Sequence, residues 1–363
     1  MGKLNRIVNS VVLVIVVLAL LAVPAMSGEK SGKTVKVFVL AGQSNMEGKS
    51  KVSLWDHQAN DPKTKNFFAH LRDGDGWVKR NDVFIKFLDH QGKLTVGYGS
   101  RNCCGSEFEF GNMMGEHFAE PVLLIKAAWG GHSIYKNFRP PSAGLPAQEL
   151  LKAELEKAQE RVKKDNKKRK QNKPLPTMYD VKSKYGASYR MMMDEVKDVK
   201  ANYQKLFPSL KGKKLEIAGF YWFQGYNDQF GDQAPGEYES NMKHFIKDVR
   251  KDLGVAKMPF VIAVMGTWGW DGAEKPKEGS GTAKVVNGQM AMNKVPEFKD
   301  NVKAFQTAPL TDKQAAKGYP VWRKDIEAWG RVGSDRPYHY LGSAIWYTRI
   351  GRQAGEEMLK LMK

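Results

Sequence analysis

The feature that most constrains the fold is the alternation of short apolar runs with helical patterns. Runs that are rich in β-branched residues and end in Gly or polar residues are typical of buried strands; they occupy residues 35–41, 122–128, 215–223, 260–264 and 302–306. Helical patterns lie between them at 110–118, 189–206 and 238–253, and a last one runs from 343 to the end. This alternation predicts an α/β fold, with a mainly parallel sheet covered by helices on both faces.

The first 27 residues have the order of a secretory signal peptide. Lys3 and Arg6 precede an apolar run at 11–23, and the small residues Ala25 and Ser27 follow it. Because that run is too short to span a bilayer comfortably, we expect residues 1–27 to be cleaved and the mature protein to be secreted or periplasmic, without stable membrane insertion. Residues 28–363 are then predicted to form one domain.

Basic residues exceed acidic ones by 58 to 39, but the excess is unevenly placed. Residues 151–173 carry ten basic and four acidic side chains. They lie within a long connection at 136–184, which its Pro-Pro pair and Lys-Pro-Leu-Pro segment mark as an insertion. Because no nucleic-acid-binding signature accompanies the charge, a solvated insertion is expected and nucleic-acid binding is not.

Composition narrows the class of protein further. With 42% hydrophobic and 27% charged residues, the chain is neither a disordered polymer nor a multispanning membrane protein. Its two cysteines, Cys103 and Cys104, are adjacent and cannot form a disulfide framework, although a vicinal disulfide between them stays open. A zinc site needs three or four ligands, and no second cluster offers them, so no metal is expected.

The residues that follow the first three apolar runs are the candidates for chemistry. In open α/β sheets, ligands bind beyond the carboxyl ends of the strands. Here those positions carry GQSN at 42–45, WGG at 129–131 and QGYND at 224–228. Small and amide-bearing residues of this kind suit a site that holds a developing oxyanion.

Two other interpretations of the residues that follow the first apolar run fail, because each requires a different spacing of glycines. The stretch GQSNMEGKS at 42–50 looks like a phosphate-binding loop, but five residues instead of four separate its glycines. The nucleophile elbow of α/β-hydrolases requires a second Gly two residues after the Ser, and Met46 stands there. A different serine-hydrolase architecture is therefore indicated.

Three motifs in order carry a family resemblance. GQSNM at 42–46, AWGGHSI at 128–134 and WFQGYND at 222–228 resemble the sialate O-acetylesterase and carbohydrate esterase family 6 branch of the SGNH hydrolases. Gly105-Ser106-Glu107 resembles the Gly-Pro-Glu segment of that branch, and His339 falls where its catalytic His lies. The resemblance implies a three-layer, flavodoxin-like α/β/α sandwich and a cofactor-free serine esterase that removes O-acetyl groups from a sugar or polysaccharide.

The resemblance also implies residue roles. Ser44 would be the nucleophile and His339 its general base, while the Ser44 N–H, an N–H of Gly130 or Gly131, and the Gln224 amide would form the oxyanion hole. These roles suit the chemistry, since a serine hydroxyl needs a base to take its proton and His, with a pKa near about 6.5, can do so at neutral pH.

Two departures from the family pattern leave alternatives open. Tyr226 stands where an acid is common, and the spacing from Asp335 to His339 is one residue longer than usual. Asp335 is the expected third member of the triad, with a backbone carbonyl or another carboxylate as the alternative partner of His339. The same departures motivate a second hypothesis, a carbohydrate-binding protein of this fold with weak or lost activity.

Further residues are expected to line the substrate pocket. His132 is expected to shape it rather than to act as the base, the tryptophans could stack on a sugar ring, and the net charge favours an acidic glycan. The candidates are Gln43, Asn45, Glu107, Trp129, His132, Asn227 and Trp268.

Overall fold

The structure is a computed structural model that describes residues 32–363. Its centre is a seven-stranded sheet in the order β11-β10-β9-β1-β8-β5-β6, parallel throughout except for β6, which pairs antiparallel with β5 at one edge. The strands of this sheet are β1 (Thr34–Gly42), β5 (Val83–Phe87), β6 (His90–Lys93), β8 (Val122–Ala128), β9 (Lys214–Phe223), β10 (Phe260–Val264) and β11 (Val302–Gln306). Four short strands form two separate pairs, β2 (Ser50–Lys51) with β7 (Cys103–Cys104) and β3 (Arg72–Asp73) with β4 (Gly76–Trp77).

Helices cover both faces of the sheet, which confirms the predicted three-layer α/β/α class. The α-helices are α1 (Ser44–Glu47), α2 (Val52–Asn60), α3 (Lys65–Phe68), α4 (Glu107–His117), α5 (Gln148–Arg169), α6 (Met178–Ser183), α7 (Ala187–Leu206), α8 (Gln233–Leu253), α9 (Gly281–Ala291), α10 (Lys313–Gly318), α11 (Ile326–Gly330) and α12 (Ala344–Leu361). Residues of α7, α8 and α9 pack in one core, and residues of α4 and α12 pack in the other.

Alternation along β1 explains how one strand serves two cores. Val37 and Val39 belong to the core under α7 and α8, whereas Phe38 and Leu40 belong to the core under α4 and α12. All four side chains are fully buried. Successive side chains of a strand point to opposite faces, so a nearly continuous apolar run is what a strand covered on both sides requires.

The register of the central strands brings their ends together. Gly42 at the end of β1 is aligned with Ala128 at the end of β8 and with Phe223 at the end of β9. The chain crosses from β8, on one side of β1, to β9 on the other, so the strand order reverses at β1. Ligand sites of open α/β sheets form at such a reversal, and the three motifs leave the sheet there side by side.

The basic connection at 136–184 forms helical structure at the surface. Leu151 is the buried residue of the 22-residue helix α5, and it packs with Val181 and Tyr185 in a small cluster apart from the two main cores. No helix within residues 32–363 is both long and apolar enough to cross a membrane. The predicted signal peptide, residues 1–27, lies outside the described residues.

Candidate active site

Ser44 lies where β1 turns into a short helix. It is the first residue of α1 and directly follows Gly42 and Gln43, and its side chain is largely buried. The turn depends on glycine, because a Cβ on residue 42 would lie 2.2 Å from the carbonyl oxygen of Phe223 on the neighbouring strand. As the first residue of a helix, Ser44 has a backbone N–H without a partner in the helix.

Gln43 links the ends of β1 and β9. Its Oε1 accepts hydrogen bonds from the backbone N–H groups of Gly225 (3.1 Å) and Asn227 (3.3 Å), and its Nε2 donates to Asn227 Oδ1 at 3.3 Å. The side chain is 1% exposed. Gln43, expected from the sequence to line the pocket, instead fixes the loop after β9 next to Ser44.

Gln224 has surroundings that differ from those of an oxyanion donor. Its Nε2 donates to Asp228 Oδ2 at 2.5 Å and also lies within hydrogen-bonding distance of the His132 carbonyl (3.0 Å) and Gln43 Oε1 (3.2 Å). Its Oε1 accepts from the Tyr238 hydroxyl at 3.1 Å. Buried acceptors therefore occupy the amide hydrogens that the sequence analysis assigned to the oxyanion, and Gln224 holds the loops around the site.

Asp228 anchors the loop after β8 from beneath. Its carboxylate accepts the backbone N–H groups of Ile134 (2.9 Å) and Tyr135 (2.8 Å). The side chain is fully buried. Burial raises the pKa of Asp228 to about 6, although the hydrogen bonds from Tyr135, Gln224 and Ile134 act in the opposite direction.

Glu47, which was not among the residues predicted from the sequence, accepts a hydrogen bond from one of the two glycines expected to donate to the oxyanion. Its Oε1 accepts the Gly130 N–H at 2.7 Å, and its Oε2 accepts from the Ser100 hydroxyl and pairs with Lys49. Burial would raise the pKa of Glu47, but the contacts with Lys49, Gly130 and Ser100 outweigh it and lower that pKa. The Gly130 N–H is thus bonded to a carboxylate that stays ionised.

Gly131 and Asn227 remain as donors on the same side of the site. A Cβ on Gly131 would lie 4.0 Å from Asn227 Nδ2, and a Cβ on Gly130 would lie 3.8 Å from the Ser44 Cβ, so this loop adjoins both residues. Gly131 has a left-handed φ of +77°, a conformation that glycine adopts without strain. Because Gln43 holds the Asn227 oxygen, the orientation of the Asn227 amide is set.

His339 and Asp335 are brought together despite their longer spacing. His339 Nδ1 and Asp335 Oδ2 are 2.9 Å apart. The backbone absorbs the additional residue in a tight turn, in which the His339 N–H bonds the Arg336 carbonyl and the Arg336 N–H bonds Asp335 Oδ1. Burial opposes ionisation of Asp335, but the His339 and Arg336 hydrogen bonds prevail and lower its pKa. This pairing is the orientation that a general base needs.

A strained turn follows His339 and fixes its place. Tyr340 and Leu341 have φ values of +54° and +60°, which are costly for residues with a Cβ. The Tyr340 ring is fully buried, and its hydroxyl accepts the Gly266 N–H (3.1 Å) and bonds Thr307 Oγ1 (2.9 Å). Packing of Tyr340 in the core therefore maintains the turn.

The segment Pro337–Gly342 contacts helix α1, which begins at Ser44. Within residues 32–363 no hydrogen bond joins the Ser44 hydroxyl to the His339 ring, so the two groups share one edge of the sheet without a direct bond in this structure. Such bonds are often long before substrate binds.

Glu107 lies beneath the site rather than in a pocket. It forms a fully buried ion pair with Lys126, at 3.0 Å, and accepts the Gly105 N–H. Lys126, within β8, also donates to the carbonyl oxygens of Glu47 (2.8 Å) and Tyr98 (2.7 Å). This pair ties α1 and the loop before α4 to the sheet.

The other expected pocket residues have varied surroundings. His132 Nδ1 is 2.7 Å from Ser188 Oγ, and burial lowers the His132 pKa. Trp129 stacks against His132, with ring centroids 6.2 Å apart, and Trp268 packs against the core under α8. Asn45 is buried beside the Tyr347 hydroxyl, with Oδ1 at 3.4 Å from it. In the loop after β8, Gly130 and Gly131 are exposed, while Trp129 is half-buried, as is Trp268.

A cleft of about 1370 Å³ opens next to Glu47. Three basic side chains line it, Lys49, Lys51 and Arg101, together with two acidic ones, Glu47 and Asp89. Cys103 also lines the cleft, and the thiols of Cys103 and Cys104 are both free in the structure. Burial raises the pKa of each thiol, which makes them poor nucleophiles.

The sequence matches a family model described as carbohydrate esterase, sialic acid-specific acetylesterase, over residues 34–171 and 180–315. Asp335 and His339 lie beyond the matched residues. A comparison with curated protein sequences found no match.

Among solved structures, similar chains include a protein from Arabidopsis thaliana (16% identity, 77% of this chain and 87% of the other) and NanS (13%, 76% and 78%). A carbohydrate acetylesterase from Xanthomonas citri is 15% identical over 89% of this chain, which spans 55% of that longer chain. The TM-score is 0.42 in each case.

Proposed function

Since the chain belongs to the family of carbohydrate esterases described as sialic acid-specific acetylesterases, we propose that it removes O-acetyl groups from a carbohydrate through an acetyl-Ser44 intermediate. The observation that carries the proposal is the His339–Asp335 pair, at 2.9 Å, on a segment that contacts the helix beginning at Ser44. A hydroxyl and an oriented imidazole on adjoining segments are the parts that nucleophilic acyl transfer requires.

In the first half-reaction, His339 Nε2 takes the proton of the Ser44 hydroxyl while Ser44 Oγ attacks the acetyl carbonyl carbon. Asp335 accepts a hydrogen bond from His339 Nδ1–H, so Nε2 is left free to act as the base. The ionised state of Asp335 is secured by its lowered pKa. Collapse of the tetrahedral intermediate breaks the bond to the sugar oxygen, which leaves with the proton held by His339.

The negative oxygen of the intermediate needs donors that are already in place. We assign this role to the backbone N–H groups of Ser44 and Gly131 and to the side-chain amide of Asn227. Support comes from the contacts around them, since Glu47 occupies the Gly130 N–H and buried acceptors occupy the Gln224 amide. In the second half-reaction, water attacks the acetyl group with His339 again as base, and acetate leaves.

The cleft beside Glu47 supports an acidic sugar as substrate. Lys51 and Arg101 are exposed and line it, and cations in a cleft raise the local concentration of an anionic ligand. A carboxylate on the sugar would then be held on the Lys51 side while its acetyl group reaches Ser44.

Hydrolysis of an acetylated sugar and of para-nitrophenyl acetate, measured for the wild type and for Ser44→Ala, tests the proposal. We expect the variant to lose at least about 10³-fold in kcat on both esters, since the nucleophile is gone. Ser209→Ala is the matched control, because Ser209 is exposed in the turn before β9, at the opposite end of that strand from the site. Rates at the uncatalysed background for both Ser44→Ala and the wild type would favour the alternative of a carbohydrate-binding protein without turnover.

We also propose that the protein is exported. The support is the sequence alone, with Lys3 and Arg6 before the apolar run at 11–23. Amino-terminal sequencing of the protein from its native envelope or medium is expected to begin near residue 28, and a start at residue 1 would contradict cleavage.

A further inference from the structure

Three aromatic side chains form a continuous patch next to His339. Tyr226 follows β9, Phe230 lies four residues later, and Tyr338 immediately precedes His339. The ring centroids are 5.5 Å apart for Tyr226 and Phe230, and 5.6 Å apart for Tyr226 and Tyr338. Tyr338 in turn lies 4.5 Å from the His339 ring. We call these three residues the aromatic rim.

The aromatic rim is exposed to an unusual degree. Phe230 is 57% exposed and Tyr338 is 39% exposed, whereas aromatic side chains gain much of their stabilisation from burial. Single exposed apolar residues are common, but a contiguous exposed patch marks a binding surface. Tyr226 directly follows Gly225, where the family pattern leads one to expect an acid, and it belongs to this patch.

We propose that the aromatic rim holds the pyranose ring of the sugar whose acetyl group is removed. This inference rests on the proposed function, because His339 delivers its proton to the oxygen of the departing sugar. That ring must then lie within a few ångströms of the imidazole, and Tyr338, whose ring centroid is 4.5 Å from that of His339, places the rim next to it. A pyranose carries C–H groups on its faces and hydroxyls at its edge, so it fits against flat, uncharged aromatic rings.

The aromatic rim and the cleft next to Glu47 differ in chemical character. The rim has no charged side chain, whereas the cleft on the Glu47 side carries Lys51 and Arg101. An apolar sugar face and an anionic substituent would therefore be recognised on two different sides of Ser44. The rim selects for the presence of a sugar ring, and the cleft selects for its charge.

Two esters separate sugar recognition from catalysis. Glucose pentaacetate offers a pyranose, while ethyl acetate presents the same acyl group with a leaving group too small to reach the rim. For the double variant Phe230→Ala/Tyr338→Ala, we expect the ratio of kcat/KM for the sugar ester to kcat/KM for ethyl acetate to fall about tenfold, mainly through KM. Tyr338→Phe is expected to keep the wild-type ratio, since it keeps the ring. Tyr179→Ala is the matched control, because Tyr179 is 79% exposed on α6 and belongs to neither site.

An unchanged ratio would overturn the proposal, and so would equal losses on both esters, which would mean that the rim only positions His339. If the wild type hydrolyses neither ester, the proposed function fails, and the rim is then judged by binding. Saturation-transfer NMR of methyl glucoside with Ser44→Ala is expected to show contact with aromatic protons that disappears in Ser44→Ala/Phe230→Ala/Tyr338→Ala. Persistence of that contact in the triple variant would overturn the proposal without any turnover.

Discussion

The two sides of the proposed site are held in place by different means. On the nucleophile side, Gln43, Gln224 and Asp228 are each at most 2% exposed and connect the ends of β1 and β9 to the loop after β8. On the base side, His339 is held by one carboxylate, from Asp335, and by a turn with left-handed residues that Tyr340 anchors in the core.

Because of this difference, substitutions on the two sides should affect stability and turnover differently. Changing a buried amide or carboxylate leaves other buried groups without partners, so such a change costs folding free energy as well as activity. Asp335 is only partly buried. Changing it removes the group that orients His339, and few other contacts in the fold depend on that group. Variants on the base side should therefore lose activity at nearly constant stability, and variants on the nucleophile side should lose both.

Asp335→Asn is expected to have the largest effect on turnover, a decrease in kcat on the order of 10³-fold. An amide in this place can donate to His339 Nδ1 and so favours the tautomer that cannot accept the Ser44 proton. The free energy of unfolding, measured with urea, should change by less than about 1 kcal/mol. Asp198→Asn, on the exposed face of α7 and away from both sides of the site, is the control. Near wild-type turnover would remove Asp335 from the triad.

Asp228 should give the nucleophile side a pH-dependent stability. Its folded pKa, at about 6, is raised above the ordinary value of 3.8, so the folded state holds this proton more tightly than the unfolded state does. The resulting stabilisation is present below about pH 4 and is lost as the pH rises through about 6, by about 3 kcal/mol. Urea unfolding between pH 4 and 7 should show this loss in the wild type relative to Asp228→Asn. A difference between the two that stays constant with pH would contradict it.

Gln224→Ala tests which role this amide has. Its removal leaves Asp228, the His132 carbonyl and the Tyr238 hydroxyl short of partners, so we expect a loss of about 2 kcal/mol in the free energy of unfolding together with reduced kcat. Gln204→Ala, on the exposed face of α7, is the control. Unchanged stability with a kcat lower by 10² to 10³ would instead restore the oxyanion role that the motif indicated.

Glu47 should have the smallest effect of the four. Glu47→Ala frees the Gly130 N–H and loosens its loop, and we expect about a tenfold decrease in kcat/KM. Glu47→Gln keeps an oxygen that can accept the same hydrogen bond, so it should recover most of the activity on an acetylated sugar. Equal losses in both variants would show that the charge next to Lys49 matters rather than the bond to Gly130.

The fold could be predicted closely because its strands are buried on both faces. The predicted run at 122–128 coincides with β8, and the run at 35–41 lies one residue inside each end of β1. The edge pair β5 and β6 escaped prediction. His90–Lys93 carries no apolar pattern, so β6 exists through its pairing with β5. Val83–Phe87 is as apolar as the predicted runs, and the sequence signal for it was overlooked.

For the site, the sequence could predict which residues lie near one another, because the ends of the strands determine that. Parallel strands end at the same edge, which is why Ser44, Gly130 and Gln224 lie near one another. Their hydrogen-bond partners depend on side-chain directions that spacing does not fix, so the bonds of Gln224 to Asp228 and of Gly130 to Glu47 appeared only in the structure. Lys126 offered one signal, a lysine inside an otherwise apolar strand, which requires a buried partner such as Glu107.

Ser44 and His339 must act as one unit in this mechanism, and covalent labelling of the serine measures this directly. Phenylmethanesulfonyl fluoride, followed by peptide mass spectrometry, should label Ser44 in the wild type, and the labelling rate should fall at least about 100-fold in His339→Asn because the hydroxyl loses its base. Labelling of a different residue, or an equal rate in both proteins, would contradict the pairing of these two side chains.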